Sequence, residues 1–196
     1  MPTRPAVLVL AGSTREASLN RKLARLAAAA VERAGGAATL LELRDYALPL
    51  FDQDLEARDG LPENAIRIKE MLLAHRGLLL ACPEYNSAIT PLLKNAIDWA
   101  SRKYGEEGPL ACFDGKVAAL CSASPGALGG LRGLATVRSI LGNIRVLVLP
   151  DQVAVGAAHD AFDGNGDLKD PARRTALDRL AASLVRTCAA LDAPTA

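Results

Sequence analysis

Four stretches of the chain are apolar almost without interruption: Val7–Leu10, Leu78–Cys82, Val117–Cys121 and Val146–Leu149. A strand with one face in water alternates apolar and polar residues. A strand covered on both faces reads as a continuous apolar run, as in a parallel sheet between helices. A weaker fifth run, Ala38–Leu43, follows the helix stop Gly35-Gly36. Between these runs the apolar positions change to helical spacing. They do so at Leu19, Leu23, Leu26, Ala27, Ala30 and Val31, and again at Leu93, Ala96, Ile97 and Ala100. The cleanest stripe is the last: Leu177, Leu180, Ala181, Leu184, Val185, Cys188 and Leu191. Asp170-Pro171 marks its start, a cap followed by proline at the first helical position. Pro62 and Pro91 mark helix starts in the same way, and Gly129–Leu141, bounded by Gly142-Asn143, is a further helix.

Strand and helix alternating along a chain imply right-handed crossovers and a doubly wound α/β fold with helices on both faces. Five strands and five helices predict the flavodoxin-like order 2-1-3-4-5, with its switch point between the first and third strands. No repeat, low-complexity tract or linker interrupts the pattern, so residues 1–196 are expected to form one domain. The tail Asp192–Ala196 is expected to fray.

Charge and cysteine content narrow the partners. The 23 basic residues against 22 acidic ones leave a net charge of +1, without the electrostatic footprint of a nucleic-acid binder. The apolar run after Met1-Pro2-Thr3-Arg4-Pro5 is too short for a signal peptide core or a membrane span. Cys82, Cys112, Cys121 and Cys188 show no C-x-x-C pairing and read as small hydrophobes in a reduced, cytoplasmic protein.

The chemistry gathers in the turns after the strands. The first, Leu10-Ala11-Gly12-Ser13-Thr14-Arg15-Glu16-Ala17-Ser18-Leu19-Asn20, joins strand to helix and is rich in hydroxyls. Such a turn suits a phosphate, with free N–H groups at the helix start and Arg15 as a charged fork. It equally suits a plain glycine turn with Ser18 as the N-cap. Neither G-x-G-x-x-G nor G-x-x-x-x-G-K-[ST] occurs, so the anion would be a monophosphate held mainly by side chains. The second turn, Pro83-Glu84-Tyr85-Asn86, offers backbone groups and an amide for a heterocycle edge and an aromatic ring for its rim. The third, Cys121-Ser122-Ala123-Ser124-Pro125-Gly126-Ala127-Leu128-Gly129-Gly130, allows close backbone approach. Other features fall away. Asp163-Gly164-Asn165-Gly166-Asp167 lacks the later EF-hand residues, so no metal site is expected. No G-x-S-x-G elbow is present. Glu16, Arg21, Lys22 and Arg25 read as a solvated helix face. Arg102 and Lys103 remain candidates for a nicotinamide cofactor's phosphate.

Taken together, these turns resemble the NADPH-dependent FMN reductases. The resemblance is carried by Gly12-Ser13-Thr14-Arg15 with Ser18 and Asn20, and by Pro83-Glu84-Tyr85-Asn86 followed by Leu93-Lys94-Asn95-Ala96-Ile97-Asp98-Trp99. Ser124-Pro125-Gly126 with Gly129-Gly130, and Leu48-Pro49-Leu50-Phe51-Asp52, add to it. It implies non-covalent FMN, with Ser13, Arg15, Ser18, Leu19 and Asn20 at the phosphate. Pro83, Glu84, Tyr85 and Asn86 would lie along the isoalloxazine, with Ser122, Ser124 and Gly126 on the other side. It also implies hydride transfer from NADPH or NADH to FMN, then reduction of a quinone, free flavin, azo or nitro compound, or chromate, in ping-pong order. No catalytic side chain is required, and a homodimer or homotetramer is expected. The two histidines, His75 and His159, fall outside the three turns, and His75 suits a helix end. A flavodoxin-type electron carrier and a non-redox binding module are the alternatives on the same fold.

Overall fold

The computed structural model describes residues 4–192. Residues 193–196, most of the tail expected to fray, lie outside the described residues. In chain order the elements are β1 (Ala6–Ala11), α1 (Leu19–Arg33), β2 (Ala37–Leu41), α2 (Gln53–Asp59), α3 (Glu63–Leu73) and β3 (Gly77–Ala81). The hairpin strands β4 (Glu84–Tyr85) and β5 (Ala88–Ile89) come next, then α4 (Pro91–Ala100) and β6 (Val117–Ala123). The chain ends with α5 (Leu131–Asn143), β7 (Leu147–Val155) and α6 (Pro171–Asp192). The main sheet has the order β2-β1-β3-β6-β7, with every neighbouring pair parallel. Counted without the hairpin, this is the flavodoxin-like order expected from the sequence.

Side chains alternate across a strand, so a run apolar at every position feeds two cores. Val7, Val9 and Leu79 face α1 and α6 on one side, and Leu8, Leu10, Leu78, Leu80 and Leu120 face α3, α4 and α5 on the other. The carboxyl ends of the strands are tied level by backbone bonds. Gly12 N–H donates to Ala81 O (2.9 Å), Cys82 N–H to Cys121 O (2.8 Å) and Ser124 N–H to Val155 O (3.0 Å). Gly12 has no space for a side chain: a Cβ there would lie 3.0 Å from Leu93 Cβ and 3.2 Å from Pro83 Cδ. The first turn therefore packs directly on the second.

Three elements depart from the hydrophobic pattern. The last strand runs Leu147–Val155 rather than Val146–Leu149: Pro150 and Asp151 fall in an irregularity of the ladder, and pairing resumes at the polar Gln152. β7 is the edge strand, where a missing N–H leaves no partner unsatisfied. It advances from Val148 to Gln152 while β6 advances only from Ala118 to Leu120. The helix Gln53–Asp59 was not expected, because it buries no residue and so carries no apolar stripe. Asp52 starts it, accepting the N–H groups of Asp54 (2.8 Å) and Leu55 (3.3 Å). The end of the Ala38–Leu43 run winds into a short 3₁₀ turn, Leu43–Asp45.

Candidate functional site

A cleft of about 330 Å³ opens at the carboxyl edge of the sheet. Ser13, Arg15, Ser18, Leu19 and Asn20 line it from the first turn, Pro83, Glu84 and Tyr85 from the second, and Ser124 with Pro125 from the third. The topology thus brings the three turns together.

At the first turn Ser18 is the N-cap of α1: its hydroxyl accepts Arg21 N–H (3.3 Å) and its carbonyl accepts Lys22 N–H (3.2 Å). The N–H groups of Leu19 and Asn20 fall in the first helical turn and have no carbonyl to bond within the helix. They aim the positive end of α1 at the cleft. Ser13 Oγ accepts Arg15 N–H at 3.3 Å. The Arg15 guanidinium is exposed and makes no hydrogen bond or ion pair among the described residues. The Asn20 side chain is committed elsewhere. Its amide nitrogen donates to Ala123 O (2.8 Å) and its oxygen accepts Ala123 N–H (2.9 Å), stitching α1 to the end of β6. Arg21 corrects the expectation of a solvated face: it is buried, donating to Glu42 Oε2 (2.8 Å) and to Arg15 O (3.2 Å).

The second turn is the β4–β5 hairpin, whose tip residues Asn86 and Ser87 have φ of 51° and 66°. Two left-handed residues in succession match the twist of a tight hairpin. The Glu84 side chain faces away from the cleft. Its Oε2 accepts Gly133 N–H (2.8 Å) and its Oε1 accepts from Arg132 (3.2 Å), so it caps α5, whose N-cap, Gly130, has no side chain. Asn86 lies at the hairpin tip and is absent from the cleft lining, whereas the half-exposed Tyr85 stands at its rim.

At the third turn β6 runs on to Ala123, which carries Ser122 into the strand. Ser122 is 0% exposed and its Oγ has no hydrogen-bond partner among the described residues; it lies against Gly130, where a Cβ would come within 2.0 Å of that oxygen. Neither Ser122 nor Gly126 lines the cleft. A fourth turn, after β7, does: His159, outside the three turns as expected, nonetheless lies in the wall. Only the topology reveals this, since no residue near His159 resembles a motif. His75 bridges α3 and β2, donating from Nδ1 to Met71 O (2.6 Å) with Nε2 2.8 Å from Thr39 Oγ1.

The outlying candidates are engaged in packing. Arg102 donates from Nε to both oxygens of Glu56 (2.9 Å each) with its guanidinium over the Phe51 ring, which ties it to α2. The loop at Leu48–Asp52 is held on α4, where Asn95 and Trp99 both donate to Pro49 O (2.9 Å each). Asp163 accepts Asn165 N–H (2.9 Å) and Asp167 N–H (3.0 Å) through one oxygen, closing an ordinary turn. Burial pushes the Cys82 thiol well up, aided by Cys121, so it offers no thiolate beside the site. Unspent N–H groups at a helix start and an unpaired guanidinium form the donor set an anionic phosphate requires. The residues present fit a phosphorylated ligand.

Comparison with known proteins agrees with this geometry. Residues 5–160 match the NADPH-dependent FMN reductase family. A quinone reductase of Pseudomonas putida is 36% identical over 170 residues, covering 86% of this chain and 87% of that protein. An NAD(P)H-dependent FMN reductase of Pseudomonas aeruginosa is 37% identical over 173 residues, 86% of each chain. Among solved structures, the flavoenzyme NAD(P)H:(acceptor) oxidoreductase FerB of Paracoccus denitrificans superposes with a TM-score of 0.79 at 29% identity, covering 94% of this chain and 97% of that one.

Proposed function

Because the chain belongs to the NADPH-dependent FMN reductase family, oxidoreductases that use FMN with NAD(P)H, we propose that it reduces a small quinone-like acceptor at the cleft between the first three turns. The observation that carries this is the unpaired Arg15 guanidinium beside the free N–H groups of Leu19 and Asn20 at the start of α1. When bound, FMN supplies the redox chemistry, taking a hydride from NADPH or NADH and delivering electrons to the acceptor. The chain's own residues bind and orient. Arg15, Ser13 and Ser18 hold the phosphate with the backbone of Leu19 and Asn20. Pro83, Tyr85 and the Glu84 backbone border the ring on one side, and Ser124 on the other. Asn20 and Glu84 act through their side chains as positioning residues, fixing α1 on β6 and the hairpin on α5.

The quinone class is supported by the Pseudomonas putida relative's name; free flavin, azo and nitro compounds and chromate are further acceptors to assay. Donor and acceptor use one face in turn, so initial-rate data are expected to give parallel double-reciprocal lines. Residues 1–196 act as one FMN-binding domain in a homodimer or homotetramer, a reading supported by exposed Leu128 and Leu131 beside the third turn. The four buried cysteines, none in a disulfide, support a reducing, cytoplasmic setting. Among the described residues no helix is long and apolar enough to cross a membrane.

An anaerobic absorbance scan of the FMN-loaded protein tests the function. NADPH or NADH is expected to bleach the flavin band near ~450 nm, and a quinone to restore it. Flavin that resists both nucleotides but bleaches with dithionite would make the protein an electron carrier. Failure to bind FMN would leave only a binding module on this fold.

A further inference from the structure

We propose that His159, on the turn after β7, is a second side-chain ligand of the FMN phosphate, so that the phosphate is gripped between Arg15 on one side and an imidazole on the other. The inference rests on the FMN reading of the cleft and assigns within it a residue that none of the sequence motifs contains.

The path of the chain places this turn at the phosphate end. Ala157 N–H donates to Gly126 O (3.3 Å) and Ala158 N–H to Ser124 O (3.0 Å), so the segment leaves β7 pinned along the third turn. Three residues beyond His159, the Phe162 ring lies under Lys22 Nζ, 5.8 Å from its centroid, on the second turn of α1. His159 therefore sits on the bridge between Ser124 and the start of α1, and its side chain lines the same cleft as Ser13, Arg15 and Ser18. The bridge has little freedom. Ala157 holds a left-handed φ of 47°, and a Cβ at Gly156 would fall 2.3 Å from Ala127 O. Arg173 on α6 donates to Gly156 O at 3.0 Å and lies 3.5 Å from Asp170.

The charge on the ligand argues for a second side-chain donor beside Arg15. A phosphate monoester carries about −1.5 to −2 near neutrality. Arg15 supplies one positive charge. Glu84, the acidic residue in the cleft lining, is spent on Arg132 and Gly133 N–H. Of the side chains expected at the phosphate, the Asn20 amide is committed to Ala123, and Ser18, whose oxygen caps α1, has only its O–H to give. His159 has an exposed ring, and its ion-pair partner is the neighbouring Asp160, with Nε2 2.9 Å from Oδ2 and side chains 61% and 80% exposed. An ion pair this open to water is weak. The imidazole can exchange it for a dianion that arrives already held by Arg15 and the helix N-terminus.

Riboflavin supplies the control, because it carries the same ring system without the phosphate. The test is a flavin-fluorescence titration of the purified protein with FMN and with riboflavin, on wild type, His159→Ala, His159→Arg and Arg15→Ala. His159→Ala is expected to raise the Kd for FMN about three- to tenfold, as for loss of one partly exposed charged contact. The riboflavin Kd should stay unchanged, and His159→Arg should recover most of the FMN affinity. An unchanged FMN Kd in His159→Ala overturns the proposal. So does an equal loss for both flavins, which would place His159 against the ring or make its role purely structural. The two levels of the reading separate cleanly. If wild type binds neither flavin, the FMN reading itself fails. If wild type prefers FMN and only Arg15→Ala abolishes that preference, the FMN reading stands and the role of His159 falls.

Discussion

At the scale of single residues, the same side-chain type is used in different ways a few positions apart. Arg15 and Arg21 belong to one turn and one helix, yet Arg15 is free and Arg21 is buried on Glu42 and the Arg15 carbonyl. Arg21 thus holds the backbone that presents Arg15, a division of labour that residue type cannot show. A charge-assisted contact to phosphate contributes about 1.5–3 kcal/mol, so Arg15→Ala is expected to weaken FMN binding roughly tenfold or more. An unchanged FMN Kd in a fluorescence titration would remove the phosphate from this turn. Ser122 and Asn20 show the limit of reading roles from motif position. Strand β6 extends two residues past the apolar run, which turns Ser122 into a buried strand residue. The Asn20 amide meets a backbone more than a hundred positions away.

At the scale of elements, the site depends on one buried hydroxyl joining two turns. Thr90 caps α4, accepting Leu93 N–H at 3.3 Å, and donates to Gly12 O at 2.9 Å beneath the first turn. Thr90→Val keeps the shape but removes the cap and leaves the Gly12 carbonyl unpaired in a buried position. Loss of a cap costs about 1 kcal/mol and an orphaned buried acceptor about 1–3, so a loss of about 2–4 kcal/mol is expected in urea unfolding. A change below about 1 kcal/mol would show that this bond does not hold the turns together. The helix starts were legible because Thr90-Pro91 and Asp170-Pro171 announce themselves through local backbone chemistry. The helix Gln53–Asp59 was not, because an element that buries nothing leaves no periodic trace.

At the scale of the molecule, two cores enclose every cysteine. All four thiols are buried and outside any disulfide, on both faces of the sheet. Burial pushes the Cys121 thiol up to about 12 and raises Cys82 and Cys112 as well. The nucleophile is the thiolate, so at pH 8 native Cys121 would be ionised in roughly one molecule in ten thousand. Native protein is therefore expected to resist an aromatic disulfide reagent at pH 8, and unfolded protein to release all four equivalents. Rapid labelling of the native form would contradict the buried placement. The sign of the pH effect on stability follows. The folded thiols hold their protons above the unfolded value of 9.0, so stability is full below that pH and falls as pH rises towards about 12. A Tm that stays flat across that range would refute it. By itself the sequence determined the five strands of the main sheet, their order and the first three turns, because continuous apolar runs, right-handed crossovers and turn residues are local or topological rules. Tertiary structure alone decided which side chains in those turns remain free. It turned Glu84 towards α5, committed Asn20 to β6, closed Arg102 on Glu56 and brought His159 into the wall. The reason is physical: a polar side chain goes to whichever donor or acceptor the packed chain leaves unsatisfied, and that partner is set by the fold rather than by neighbours in sequence.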